Sequence, residues 1–359
     1  MSDDLAYWVA LTRFGPFGSV RLGKLSRRFS DMRAAFEASA GQLVEAGIEP
    51  HVVNRFLQER LHLDPQRELE LLVKHQVEAI TLKDPRYPTL LKQIYDPPAV
   101  LFIRGRLPPQ NVKHLAVVGS RKATTYGKRA VERMIDPLSR VGVVIVSGLA
   151  YGIDAEAHHV CLNAQGTTLA VLGSGVDQES IYPSQHRALA TTILANGGAL
   201  ISEFPIGSPP LKHHFPLRNR IIAGLCHGIL IVEAAMESGS LISAKSALES
   251  GRDVYAVPGP IDAPMSEGPN SLIKQGAILV TEPTDIFGIT IKPTPVSPTY
   301  KPQNPEEEQL LSHLTQEPKH LDELVRLSHL PIHVVASTLT LLEMKGVARH
   351  VGGRYYCLV

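Results

Sequence analysis

The sequence predicts an α/β protein built on a mainly parallel sheet, set between a helical N-terminal segment and a small, mostly helical C-terminal one. Three observations predict it. Short β-rich runs recur at residues 115–118, 143–146, 168–172, 199–202, 229–232, 254–257 and 278–280. Helical stretches of about a dozen residues separate several of them, as in βαβ units. Before and after this block the strand runs give way to helical patterns.

Length and composition agree with a chain of more than one domain. At 359 residues two or three domains are expected, and 44% hydrophobic with 20% charged residues is a soluble globular composition. The net charge of +1 confines any nucleic-acid surface to a local patch. The three cysteines, Cys161, Cys226 and Cys357, form no C-x-x-C pair, which argues against a disulfide framework and for a reducing cytosol. The acidic start, Ser2-Asp3-Asp4, is unlike a secretory signal, and the longest apolar stretch carries His227 and Glu233 and is too short to span a membrane. A cytoplasmic protein is expected.

In chain order, residues 1–75 read as a helical domain. The glycine turns at 13–18 and 45–48 suit helix-hairpin-helix or SAM-like units, or equally a small helical module for protein contact. Proline punctuation at Asp84-Pro85 and Pro97-Pro98 leads into a short strand at 99–103. The sheet domain is expected over 76–289, with ligand-binding residues just after the strands, where open α/β sheets bind their ligands. After the run at 115–118 comes Gly119-Ser120-Arg121-Lys122: a glycine for close backbone approach, a hydroxyl and cations for phosphate. Ser147 to Asp154 is glycine-rich and opens a helix bearing Glu156, His158 and His159. Gly173-Ser174-Gly175 and Glu233 to Ser240 are further small-residue loops.

None of these is a nucleotide fingerprint. Gly173-Ser174-Gly175 lacks a third glycine and a following helix, and no G-x-x-x-x-G-K-[ST] loop is present. Asp154 reads as a helix cap and the paired histidines as structural more readily than as a metal or acid–base site. Tyr182-Pro183 reads as loop architecture. No catalytic residue, metal or cofactor is expected.

The densest cluster lies at 209–224. Pro209 and Pro210 precede Lys212, His213, His214 and Phe215; Pro216 is read as holding Phe215 extended; Arg218, Asn219 and Arg220 then open a helix. Cations, an aromatic ring and a helix N-terminus together suit phosphates and stacked bases, although a solvated basic loop has the same composition. Lys245 either reaches the same groove or is a solvated face residue.

A stiff proline-rich linker is expected at 290–305, then a winged helix at 306–359: three helices and a terminal glycine-turn hairpin. Its third helix offers His333, Ser337, Thr338 and Thr340 but no arginine or lysine before Lys345. That favours protein contact or weak nucleic-acid contact over sequence-specific duplex reading.

The motifs Gly119-Ser120-Arg121, Ser147 to Asp154, Tyr182-Pro183, Phe215 to Leu225, Glu237 to Ile242 and Tyr255 to Gly259 stand in the order seen in the DNA-processing protein A (DprA, or Smf) family, which this sequence resembles from about residue 80 to 287. The resemblance implies an extended Rossmann domain that binds single-stranded DNA as a homodimer. It also implies hand-over of the strand to the RecA recombinase during natural transformation and displacement of single-strand-binding protein. Arg121 would bind phosphate, with Lys122 as the alternative for that place. Lys212 would lie over the backbone, Phe215 would stack on a base, and Arg218 and Arg220 would line or brace the pocket. The rival from another class is a Rossmann-type nucleotide phosphoribohydrolase using Glu233 or Glu237, which lacks its Pro-Gly-Gly-x-Gly-Thr loop here. A winged-helix transcription factor is a third.

Overall fold

Short runs rich in Val, Ile, Leu and Ala can be buried on both faces only in a sheet covered by helices on each side. In the computed structural model, which describes residues 3–290, 300, 302–315 and 317–358, these runs form the middle of a nine-stranded sheet. Its strands are β1 Glu78–Thr81, β2 Val100–Gly105, β3 His114–Val118, β4 Val144–Ser147, β5 Thr168–Val171, β6 Ala199–Ser202, β7 Gly228–Ile231, β8 Asp253–Ala256 and β9 Ile278–Leu279. Their order is β1-β2-β6-β5-β4-β3-β7-β8-β9. All pairs from β6 to β9 are parallel, while β1 and β2 add an antiparallel edge beside β6.

This order places a switch point in the middle of the sheet. The chain starts at β3, winds outward through β4 and β5 to β6, then returns along the helix His214–Gly224 to set β7 against the other side of β3. The loops after β3 and β7 therefore part in opposite directions, opening a crevice at the carboxyl ends of the strands. Glu233 holds the two sides of that crevice together. Its carboxylate accepts the Thr124 N–H at 2.9 Å and the Thr124 hydroxyl, while its carbonyl accepts the Ser120 N–H at 2.6 Å. Gly127 is part of the same arrangement, because an added Cβ would sit 2.2 Å from a Glu233 carboxylate oxygen.

The N-terminal helices pack onto one side of the sheet and share its core. Phe14, Phe17 and Phe56 contact one another and belong to the same apolar cluster as Phe102, Ala170 and Leu200. Arg13 pairs with Glu68 at 2.8 Å and donates to the Ile206 carbonyl at 2.5 Å. Residues 1–291 consequently form one compact unit, and 292–359 a second.

In the second unit the helices Pro305–His313, Leu321–Ser328 and Ile332–Met344 enclose Leu310, Leu324, Val335, Leu339 and Leu342. The expected hairpin is present as β11 (Ala348–His350) and β12 (Tyr355–Leu358), joined by β10 (Lys319–His320), which sequence reasoning missed. Buried Glu307 accepts from Lys345 Nζ at 2.8 Å and from the Tyr300 hydroxyl, and these two partners hold its carboxyl down at about 2. Of the linker expected at 290–305, residues 291–299 and 301 lie outside the described residues. The following helix already begins at Pro305, capped by Asn304. Among the described residues no single helix is long and apolar enough to cross a membrane.

Candidate nucleic-acid interface

The crevice opens into a cavity of about 860 Å³ that reaches Val118 at the end of β3. Three segments wall it: Gly119-Ser120-Arg121 after β3, Pro210 to Asn219, and Ser238 to Ser240. Each is shaped by a local rule. Gly119 cannot be replaced cheaply, since a Cβ there would come within 2.6 Å of Ile153 and 2.9 Å of the Glu233 carbonyl. Ser238 caps the helix Gly239–Glu249 with its side chain on the Ser240 N–H, and the open first turn of that helix lines the cavity. The positive end of the helix dipole favours an anion there.

The segment at 209–224 departs from expectation in one respect. The helix starts at His214, four positions earlier than predicted, so Phe215 and Pro216 are helical rather than extended. Proline is accepted in a first turn because its missing N–H would have no intrahelical partner anyway. The earlier start decides which side chains face the cavity. Phe215, Pro216, Arg218, Asn219 and Ile222 line it, whereas Leu217 and Arg220 face the opposite crevice, between the sheet and the N-terminal helices. In the preceding loop Pro210 and Lys212 turn to the first cavity, and Pro209, Leu211 and His213 to the second.

At the mouth of the cavity the guanidinium of Arg121 stands 5.5 Å from the centre of the Phe215 ring, a cation–π distance. Arg121 and Lys212 are exposed and Phe215 is half-buried. Phe215 rests against Gly173, where a Cβ would lie 3.2 Å from the ring. Lys122 is exposed and not part of the lining; its backbone N–H donates to Ser120 Oγ at 3.0 Å, which closes the turn that points Arg121 inward. Asn219 donates to the Gly239 carbonyl at 3.3 Å and so joins the two helices that flank the cavity.

Arg218 is a support beneath the floor rather than an open cation. It is 4% exposed, donates to the Val171 carbonyl at 3.1 Å and presses against Gly148, where a Cβ would fall 1.4 Å from its guanidinium. Burial lowers its pKa, with buried Asp154 opposing that shift. Asp154 is no helix cap: its carboxylate accepts the Gly148 N–H at 3.1 Å, and burial raises its pKa against the pull of Arg218. The two buried groups thus oppose each other's desolvation beneath the cavity floor.

Arg220 was grouped with the site by sequence and belongs elsewhere. It pairs with Glu203, donates to the Asp96 carbonyl and reaches Ser19 Oγ at 3.5 Å. Two positions on from Arg218, the Arg220 side chain turns to the crevice beside the N-terminal helices and is not part of the first cavity's lining. Lys245 is likewise outside the lining, 76% exposed and 3.8 Å from Glu249. His158 is fully buried on Thr168 Oγ1 at 2.7 Å and pushed down to about 3, hence neutral and structural. Of the rival reading's two acids, Glu233 is buried and engaged by Thr124, while Glu237 lines the cavity. Tyr182, read from sequence as loop architecture only, lines the cavity with its ring centre 5.9 Å from that of Phe215.

Residues 78–290 match the family described as DNA recombination-mediator protein A, and residues 293–354 match the DprA winged helix domain. Protein Smf of Escherichia coli K12 is 44% identical over 279 residues, covering 75% of this chain and 74% of that protein. DNA processing protein DprA of Streptococcus pneumoniae R6 is 46% identical over 209 residues, 58% of this chain and 73% of that protein. Among solved structures, DNA processing protein A from Streptococcus pneumoniae is similar with a TM-score of 0.67 at 36% identity, covering 79% of this chain and 97% of that one. The Helicobacter pylori protein, whose structure is described as giving insight into a unique single-stranded DNA binding mode, has a TM-score of 0.52 at 26% identity, covering 58% of this chain and 93% of that one.

Proposed function

This chain belongs to the DNA recombination-mediator protein A family, and from that premise we propose that it binds single-stranded DNA without sequence preference and loads the RecA recombinase onto it during natural transformation. The observation that carries the reading is the placement of Arg121 over the Phe215 ring beside Lys212, at the carboxyl edge of the sheet. A cation meets phosphate regardless of base, and a ring face accepts any base, so this combination reads a strand and not its sequence. Gly119 lets the backbone approach the strand closely, Ser120 and the first turn at Ser238 to Ser240 add polar lining beside it, and Asn219 holds the walls together. The description of the Helicobacter pylori relative supports the same ligand.

In this account the protein works by binding rather than catalysis, as a homodimer in the cytoplasm, and helps displace single-strand-binding protein. The helical region 1–75, the sheet domain 76–289 and the winged helix 306–359 are its functional divisions. The winged helix makes protein contacts or weak nucleic-acid contacts. Titration with fluorescent oligo-dT and the matching duplex tests the central claim. Tighter, salt-sensitive binding of the single strand supports it, because bound phosphates release condensed counterions. Equal affinity for both would contradict it.

A further inference from the structure

Beyond Phe215 the cavity wall continues into a small notch lined by Arg121, Phe215, Arg218, Tyr151, Tyr182 and Pro183. Tyr151 and Tyr182 are 39% and 46% exposed. A lone exposed tyrosine on a surface means little. Here two of them border the same depression as the groove's arginine and its aromatic ring. Tyr151 is fixed in place, with its hydroxyl 2.6 Å from Gln185 Oε1 and its ring edge-on to His186 at 5.0 Å. The Tyr182 and Phe215 rings are tilted by 52° with centres 5.9 Å apart, which is direct ring–ring contact. No base fits between them, so each ring offers its own outer face.

We propose that Tyr182 is a second base platform, taking the nucleotide next to the one stacked on Phe215, with Tyr151 bordering the far side of the notch. The inference rests on the single-strand reading of the groove and extends it from one base to two. Arg121 lines both the cavity and the notch, so one guanidinium faces the phosphate that joins the two bases. Two rings tilted against each other also bend the strand at that phosphate. A duplex, whose neighbouring bases stay stacked in parallel, cannot follow, and the platform thus contributes to preference for the single strand.

The test uses the full chain and oligo-dT carrying 2-aminopurine at either of two adjacent positions, with Tyr182→Leu, Tyr182→Phe and Lys212→Ala. Leucine keeps apolar bulk but has no ring face, and thermal melting checks that each variant is folded. Tyr182→Leu should bind roughly 5- to 150-fold more weakly and lose the fluorescence change at one of the two positions, while Tyr182→Phe keeps both. Wild-type affinity and signals in Tyr182→Leu, with binding still lost in Lys212→Ala, would overturn the platform and leave the groove standing. Equal losses in the leucine and phenylalanine variants would overturn stacking in favour of a hydroxyl contact. Unchanged binding in Lys212→Ala as well would overturn the groove reading and the platform together.

Discussion

Replacing Arg220 by leucine asks whether this arginine braces the fold or touches the strand. Its guanidinium pairs with Glu203, and the two side chains keep only 16% and 13% exposure. It also donates to the Asp96 carbonyl. Leucine retains apolar bulk but leaves the Glu203 carboxylate in the crevice without a cation. Removing one partner of a buried pair costs about 3–5 kcal/mol, and the residual exposure places this case near the lower end, about 3 kcal/mol. The pH dependence has a definite sign. Burial already raises the Glu203 pKa, and Arg220 opposes the rise. Without Arg220 the folded-state pKa climbs further above the unfolded value, so the folded chain holds a proton that the unfolded chain has released. Stability then falls as pH rises through that window. Urea unfolding should show the full penalty at about pH 8 and a smaller one at about pH 5. Adding Glu203→Gln should recover most of the loss, because no charge is left stranded. A penalty that is independent of pH, or grows on acidification, would refute the reasoning. Oligo-dT affinity of the folded variant should match that of the parent, since Arg220 faces away from the groove.

Other perturbations separate groove from scaffold. Arg121→Ala should weaken oligo-dT binding and lower the slope of log K against log salt by about one, with unchanged melting; an unaltered slope would remove Arg121 from the phosphate path. Phe215→Ala should lose about 1–3 kcal/mol of affinity for every base composition tested, and a loss confined to one base would contradict sequence-tolerant stacking. Gly148→Ala should lower the melting temperature and weaken binding together, because the added methyl would displace the buried guanidinium of Arg218. In the C-terminal unit the Glu307 carboxyl is held at about 2, so the stability it contributes is present above its ordinary value of 4.5 and lost as pH falls toward 2. Glu307→Gln should flatten the acid destabilisation of that unit in calorimetry of the full chain, whereas an unchanged acid profile would contradict the latch to Lys345 and Tyr300.

The central sheet was legible because strands buried on both faces must read as short apolar runs, and β3 to β8 do. The loops lining the cavity were legible because a parallel sheet puts ligand sites after its strands, where Gly119 to Arg121 and Ser238 to Ser240 stand. Edge elements were harder. β1 has only Ala79 and Ile80 buried, and β10 is two residues long, too short for any period to show. The roles of Arg218 and Arg220 were invisible until the helix start was known, because Pro216 mimics a break where the structure has a first turn. Asp154 looked like a cap because its position beside a glycine loop suits one; its partners, Arg218 and the Gly148 N–H, come from distant or folded-back chain. Tyr182-Pro183 reads as loop architecture in the sequence, and only folding sets the Tyr182 ring beside Phe215.

The most direct measurement is a titration of the wild-type chain and Lys212→Ala with fluorescent oligo-dT and the matching duplex, each at low and moderate salt. The account predicts tighter binding of the single strand, weakening linearly in log salt, and a clear loss in the mutant with its melting curve unchanged. Equal affinity for strand and duplex, or full single-strand affinity in Lys212→Ala, would contradict it.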